Sequence, residues 1–99
     1  MTSLHTQQFD EYANSMFRYE GLPGSWIESC TGYLRTLFGD SLRGKTVIDY
    51  GFGRGNWSLA FLAAGAGKVI AIDASPAAVA RFTDYCQTQD IDRIEVVAS

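Results

Sequence analysis

The segment 45–58 constrains the fold of this chain more than any other stretch, because it joins an apolar, β-branched run to a glycine-rich turn. The run ends at Asp49 before Tyr50, and glycines then stand at alternate positions, at Gly51, Gly53 and Gly55. The residues that follow have the pattern of a helix. A glycine-rich turn between a strand and a helix is where many α/β proteins bind a nucleoside-containing cofactor, since glycine lets the backbone approach the ligand closely.

A second apolar run, 69–72, also closes on an acid, Asp73. A carboxylate at the end of this strand can accept hydrogen bonds from the two hydroxyls of a ribose. The alternative is that Asp73 caps the helix that follows. Ser75 is expected to serve as that cap, with Pro76 in the first helical turn, so the ribose-binding role is favoured for Asp73.

The pattern after Gly44 is an alternation of strands and helices. Strands are predicted at 46–50, 68–72 and 94–97, and the first connecting helix at 56–64. Continuous apolar strands separated by helices predict a parallel sheet that helices cover on both faces. The fold class is therefore α/β.

The first 40 residues have a helical pattern instead. Apolar residues recur at three- and four-residue spacing around Tyr12, and a break at 20–24 precedes a second helix that Gly39 is expected to end. The predicted apolar face of this second helix consists of Ile27, Cys30, Leu34, Leu37 and Phe38.

Composition argues against several classes of protein. A hydrophobic share of 46% indicates a packed globular chain, and a net charge of −3 with scattered Lys and Arg argues against a nucleic-acid partner. No window approaches the roughly 18 apolar residues of a membrane span. The N-terminus does not have the pattern of a signal peptide, so a cytoplasmic protein is expected. Cys30 and Cys86 match no metal spacing and are expected to be buried free thiols.

From Val47 to Gly55 the chain resembles the class I S-adenosylmethionine-dependent methyltransferases. The first motif of that family places an acid two residues before a GxGxG turn, and a second acid ends its next strand, as Asp49 and Asp73 do here. The resemblance implies S-adenosylmethionine as cofactor, S-adenosylhomocysteine as product and methyl transfer to a small-molecule acceptor. It also implies that most catalytic residues lie beyond Ser99, and none is identified in this chain.

The resemblance divides the chain into a helical lid at 1–44 and the first half of a Rossmann-like domain at 45–99. The implied fold has N-terminal helices followed by the first βαβαβ unit of a doubly wound parallel sheet, incomplete at the C-terminus. The first three strands of the family sheet are ordered 3-2-1, so the first strand here has an unpaired edge. An apolar edge invites pairing, so a homodimer or a complementary chain that completes the sheet is an expected partner.

The resemblance also implies roles for individual residues. Asp49 is expected near the amino group of the cofactor, the glycines under its methionine part, and Ala74 and Ser75 beside its adenine. Phe52 stands where the family often has a small residue, and it is expected to add bulk near the ligand. The implied cofactor-binding residues are Asp49, Gly51, Phe52, Gly53, Gly55, Asp73, Ala74, Ser75, Tyr12 and Arg18.

Aromatic and basic residues of the predicted lid are candidates for closing over the cofactor or substrate: Tyr12, Arg18, Tyr19 and Trp26. An arginine could meet the cofactor carboxylate, and an aromatic ring could face its sulfonium. Packing or a solvated surface is the more common explanation for such residues. Trp57, in the first connecting helix, is expected to pack that helix onto the sheet.

Two alternative functions stay open. One is a segment of an oxidoreductase that binds the dinucleotide NAD or FAD. In that fingerprint, GxGxxG, the third glycine would fall at Asn56, and Asp49 would repel a pyrophosphate. The other alternative is a non-catalytic half-domain that binds a partner through its open sheet edge.

Overall fold

The computed structural model describes residues 24–99, which form one helix followed by an alternation of three strands and two further helices. The elements are α1 (Gly24–Phe38), β1 (Thr46–Tyr50), α2 (Asn56–Ala63), β2 (Lys68–Asp73), α3 (Pro76–Thr88) and β3 (Ile94–Ala98). The predicted alternation is confirmed, and so is the end of α1. Gly39 has φ +54° and its N–H donates to the carbonyl of Arg35, a conformation that glycine adopts readily at a helix end.

The three strands form a parallel sheet in the order β1-β2-β3. Val69 in the middle strand is in register with Val47 of β1 and with Ile94 of β3. The predicted α/β class and strand order are therefore confirmed. Within the described residues, β1 pairs on one side alone, so its other edge is open.

A hydrophobic core lies between the sheet and the helices α2 and α3. Its buried residues are Phe52, Leu59, Ala66, Val69, Ala71, Ala78, Phe82, Cys86 and Ile94. Cys86 is a buried free thiol, as predicted, and burial raises its pKa to about 11. Cys30, the other predicted buried thiol, is only half-buried in α1.

The opposite face of the sheet is apolar and largely open. Ile48 is 62% exposed and Tyr50 is 73% exposed, and their register partners Ile70 and Ile72 are half-buried. Helices were expected on both faces, and this expectation is wrong for residues 24–99. Successive crossovers that advance in one direction along a sheet, each of the same hand, place their helices on the same face.

Helix α1 packs against α2 and buries Thr31 and Leu34. Its predicted apolar face is only partly correct, because Leu37 is 57% exposed. Trp57 does not pack α2 onto the sheet as expected. Its ring meets that of Tyr33 in α1 edge to face, with centroids 5.9 Å apart.

The residues of α2 that are buried instead are Ser58, Leu59 and Ala60. Because α2 lies between the sheet and α1, its successive side chains face one or the other, and Trp57 is on the α1 side. None of the helices within residues 24–99 has the length and apolarity needed to cross a membrane.

Candidate cofactor-binding site

The glycine-rich turn lies at the carboxyl end of β1 and is tied to the neighbouring strand through its backbone. The N–H of Gly51 donates to the carbonyl of Ile72 at 2.7 Å, and the N–H of Phe52 approaches the same oxygen at 3.4 Å. The turn then closes on itself, with the N–H of Gly55 donating to the carbonyl of Phe52. This anchoring places the turn beside Asp73, where β2 ends.

The three glycines have left-handed backbone conformations, with φ values of +75°, +59° and +91° in chain order. A β-carbon on Gly51 would meet no atom within 4 Å, so the space above this residue is open to a ligand. A β-carbon on Gly55 would lie 2.3 Å from Cε1 of Phe82. A glycine is thus required at position 55 for packing against α3, independently of any contact with a ligand.

Phe52 turns its side chain into the core. It is buried, and its ring packs on that of Phe82 with centroids 5.1 Å apart. The expectation that Phe52 adds bulk near the ligand is therefore wrong, because the hydrophobic space beneath the turn accommodates the ring. The loop can thus carry an aromatic residue here without narrowing the open side of the turn.

Asp73 connects the two turns at this edge of the sheet. Its Oδ2 accepts the N–H of Gly53 at 3.0 Å, and its Oδ1 accepts the N–H of Ser75, also at 3.0 Å. The residue is 7% exposed. Each carboxylate oxygen has a second lone pair, so the group can still accept one hydrogen bond from a ligand at each oxygen.

The predicted helix cap is confirmed at Ser75. Its hydroxyl accepts the N–H of Ala78 at 3.1 Å, and Pro76 stands in the first turn of α3. Ala74, which precedes the cap, is exposed at the same edge. The N-cap of α3 is thus Ser75 and not Asp73.

Asp49, the last but one residue of β1, is half-buried and accepts a hydrogen bond from the Ser58 hydroxyl at 2.6 Å. Burial raises the pKa of Asp49, the hydrogen bond from Ser58 lowers it, and the negative charge of Asp73 raises it. The two carboxylates are thus close enough to act on each other. A pair of acids at one edge of the sheet favours a ligand with positive charge over a pyrophosphate.

Arg54 links the turn to α1. Its side chain is largely buried, and its guanidinium lies over the ring of Trp26 at 4.6 Å from the centroid. Trp26, proposed from sequence as part of a lid, therefore contacts the turn itself. The other lid candidates, Tyr12, Arg18 and Tyr19, lie outside the described residues.

Sequence reasoning missed three residues that shape the site: Ser58, Arg54 and Phe82. Ser58 had a detectable signal, since it is a small polar residue within the apolar start of a helix. The partners of Arg54 and Phe82 lie far away in the chain, and no local pattern marked either one.

Comparisons with known proteins show the family to which the chain belongs. The profile of the methyltransferase domain family matches residues 47–99, which is more than half of the chain. The chain belongs to this family. Proteins similar to the chain in sequence are methyltransferases as well.

Two similar proteins by sequence are ribosomal protein L11 methyltransferases. The one from Enterobacter sp. (strain 638) is 44% identical over 64 residues, and the one from Salmonella newport (strain SL254) is 42% identical over 64 residues. Each match covers 64% of this chain and 22% of the relative. The chain thus spans less than a quarter of the length of these relatives.

Two solved structures share the fold. A proposed RNA methyltransferase from Pyrococcus horikoshii superposes with a TM-score of 0.58 at 22% identity, covering 92% of this chain and 50% of that one. A SAM-dependent methyltransferase from Aquifex aeolicus superposes with a TM-score of 0.52 at 24% identity, covering 80% and 48%. At these identities the likeness is one of fold.

The residues present fit S-adenosylmethionine, the cofactor that the sequence resemblance implies. The open space above Gly51 gives its methionine part room beside the turn. Asp49 supplies negative charge for an ammonium group, and Asp73 supplies acceptors for hydroxyls. An ammonium group and ribose hydroxyls are chemical features that this cofactor presents.

Proposed function

We propose that this chain supplies the cofactor-binding half of an enzyme that transfers the methyl group of S-adenosylmethionine to a small-molecule acceptor. Residues 45–99 would form the first half of the cofactor-binding domain, and residues 1–44 a helical lid. The observation that carries the proposal is the pairing of Asp49 and Asp73 at the end of the sheet, beside an open glycine turn.

The two acids have different tasks in this proposal. Asp73 is held by two backbone N–H groups, so its carboxylate is oriented before any ligand arrives, and it accepts the ribose hydroxyls with its free lone pairs. Asp49 attracts the amino group of the cofactor, which carries a positive charge. Ala74 and Ser75 flank the adenine, while the backbone of Gly51 and Gly53 passes under the methionine part.

The remaining proposed contacts come from residues outside the described part of the chain. Tyr12 and Arg18 would close over the bound cofactor, Arg18 meeting its carboxylate and Tyr12 facing its sulfonium through its ring. Trp26 supports this idea indirectly, because its contact with Arg54 ties α1 to the glycine turn.

Bound S-adenosylmethionine would supply a methyl group already activated by its sulfonium, with S-adenosylhomocysteine as the leaving group. The chain therefore contributes mainly by binding and orientation. A base is needed only where the acceptor must lose a proton. The net charge of −3 favours a small-molecule acceptor over nucleic acid. A ribosomal protein L11 methyltransferase is similar in sequence and a proposed RNA methyltransferase is similar in fold, so protein and RNA are the acceptor classes to test against it.

The open edge of β1 and the apolar sheet face beside it support a further element of the proposal. A second copy of the chain, or a complementary chain, would pair with β1 and cover Ile48 and Tyr50. A non-catalytic half-domain would bind a partner through the same edge. Binding of the cofactor distinguishes a methyltransferase from such a half-domain.

An amide NMR titration of the isotopically labelled chain with S-adenosylhomocysteine tests the proposal. We expect saturable shifts centred on Gly51, Gly53 and Asp73, and no comparable shifts with NAD. Asp73→Ala should abolish most of the response, while Thr31→Val, a change in α1 that removes a buried hydroxyl, should preserve it. A dispersed spectrum, which indicates a folded chain, whose peaks do not shift on addition of S-adenosylhomocysteine would reject the cofactor-binding role.

The acceptor is tested separately, with the chain joined to whatever segment completes its sheet. The experiment measures the transfer of a radiolabelled methyl group to three kinds of acceptor: a library of small metabolites, ribosomal protein and RNA. Label in a small molecule supports the proposal, whereas label found only in protein or RNA contradicts the acceptor class.

A further inference from the structure

The hydroxyl of Ser58 points from the first turn of α2 to the acid that the proposed function places against the cofactor amino group. Its Oγ donates to Oδ2 of Asp49 at 2.6 Å, a length typical of a hydrogen bond to an ionised carboxylate. Ser58 is completely buried, so water does not compete for this hydroxyl. The contact joins two elements, the end of β1 and the start of α2.

We propose that Ser58 is the positioning residue that fixes the Asp49 carboxylate in place and keeps it charged for the positively charged amino group of the cofactor. This inference rests on the proposed function, since it names a supporting residue for the same site. Ser58 does not touch the ligand; it acts through Asp49.

The balance of forces at Asp49 makes such a donor necessary. Burial disfavours the ionised carboxylate, and the charge of Asp73, at the end of β2, disfavours it further. The hydrogen bond from Ser58 opposes both effects. Without it, the pKa of Asp49 would be raised further, which favours the neutral carboxyl, and a neutral carboxyl attracts an ammonium group only weakly.

The bond also restricts the orientation of the carboxylate. Ser58 occupies Oδ2, and within residues 24–99 no other hydrogen bond is made to this side chain, which leaves Oδ1 available to a ligand. A carboxylate fixed in one rotamer loses less conformational entropy when the ligand binds. Charge and orientation both depend on the same donor.

The experiment compares Ser58→Ala with Ser58→Thr, which keeps the hydroxyl, and with Thr31→Val as the control. Thr31 also carries a buried hydroxyl, but it donates to the carbonyl of Ile27 within α1. Two quantities are measured for each variant: the pH titration of the Asp49 side-chain carboxyl by ¹³C NMR without ligand, and the affinity for S-adenosylhomocysteine by calorimetry at pH 6 and pH 8.

We expect Ser58→Ala to move the Asp49 titration to higher pH and to weaken S-adenosylhomocysteine binding about tenfold near neutral pH, as for the loss of one hydrogen bond to a charged group. The loss should be greater at pH 6 than at pH 8, because at pH 8 Asp49 is ionised more fully in both proteins. Ser58→Thr should restore both quantities, and Thr31→Val should change neither. If Ser58→Ala does not fold, Ser58→Cys takes its place, since a thiol fills the site but donates weakly.

An Asp49 titration that is unchanged in Ser58→Ala would overturn the inference, and so would a loss of affinity that is equal at both pH values. Failure of the unmodified chain to bind S-adenosylhomocysteine would instead reject the proposed function, and with it the ligand named here. The ligand-free titration would then still report whether Ser58 controls the charge of Asp49.

Discussion

The glycines of the turn after β1 look alike in the sequence but meet different surroundings. Gly51 has positive φ and open space above it, whereas Gly55 has positive φ and the ring of Phe82 where a β-carbon would stand. At Gly51 only backbone strain disfavours a side chain, whereas at Gly55 contact with Phe82 disfavours it as well. A ligand therefore has room at Gly51, and α3 packs closely at Gly55.

Alanine substitutions should separate these two effects. Gly51→Ala should cost about 1–2 kcal/mol of unfolding free energy, the usual strain of a left-handed conformation. Gly55→Ala should cost about 2–5 kcal/mol, because the clash with Phe82 adds about 1–3 kcal/mol. Urea unfolding followed by circular dichroism measures both, and equal losses would contradict the assigned contact.

A double-mutant cycle tests whether Phe82 is the cause. Phe82→Leu shortens the side chain next to Gly55, so the additional cost of Gly55→Ala should be smaller in that background. A cycle that is strictly additive would show that the two residues do not interact.

The raised pKa of Asp49 predicts a specific dependence of the unfolding free energy on pH. Because its pKa is raised in the folded chain, the folded state holds this proton more tightly than the unfolded state does. Its contribution to stability is therefore complete below the ordinary value of 3.8 and is lost as the pH rises through the raised pKa. Asp49→Asn removes this titration.

The unfolding free energy of the unmodified chain minus that of Asp49→Asn should thus decrease as the pH rises from below 3.8 through the raised pKa of Asp49. Urea unfolding at a series of pH values, without ligand, measures the difference. Thr31→Val should show a constant difference over the same range. A difference that increases with pH for Asp49→Asn would contradict the assigned shift.

At the level of elements, the junction between β2 and α3 performs two functions with adjacent residues. Asp73 holds the glycine turn through Gly53 and the following turn through Ser75, while the Ser75 hydroxyl caps α3. The start of α3 and the position of the glycine turn are therefore coupled. A change at the helix cap should affect the helix first and the position of the glycine turn only through it.

Ser75→Ala should destabilise the chain by about 1 kcal/mol, the typical cost of losing an N-cap acceptor. Ser75→Thr retains the acceptor oxygen and should recover most of this loss. The backbone bond from Ser75 to Asp73 persists in both variants. Thermal unfolding of the three proteins measures the effect, and no difference between Ala and Thr would contradict the role of the hydroxyl.

At the level of the whole molecule, the sheet is covered unequally. Helices α2 and α3 bury the face that carries Val69 and Ala71, while the other face exposes Ile48 and Tyr50 beside the open edge of β1. Exposed apolar surface next to an unpaired edge favours association with another chain.

The 99-residue chain is therefore expected to self-associate in a concentration-dependent way. Replacing both Ile48 and Tyr50 with Lys should weaken association at least about tenfold, because each side chain contributes about 1.5–3 kcal/mol when buried. Leu37→Lys, on the exposed part of α1, is the matched control and should have little effect. Sedimentation velocity measures the distribution of species, and a monomer at every concentration would refute the prediction.

The elements of the fold and the ends of its strands were predictable from sequence because their signals are local. A β-branched run closed by an acid and followed by glycines marks the end of β1, and Ser75 with Pro76 marks the start of α3. The strand order was implied by the family resemblance carried by these motifs. Each of these features depends on residues a few positions apart.

The tertiary structure decided what those local signals leave open. It placed Phe82 against Gly55, the hydroxyl of Ser58 on Asp49, and Trp57 against α1 instead of the sheet. Among residues 24–99 it also left one sheet face open where the apolar strands predicted cover on both. These outcomes depend on how the elements pack. The environment of each of these residues is therefore set by partners from other elements and not by its neighbours in the chain.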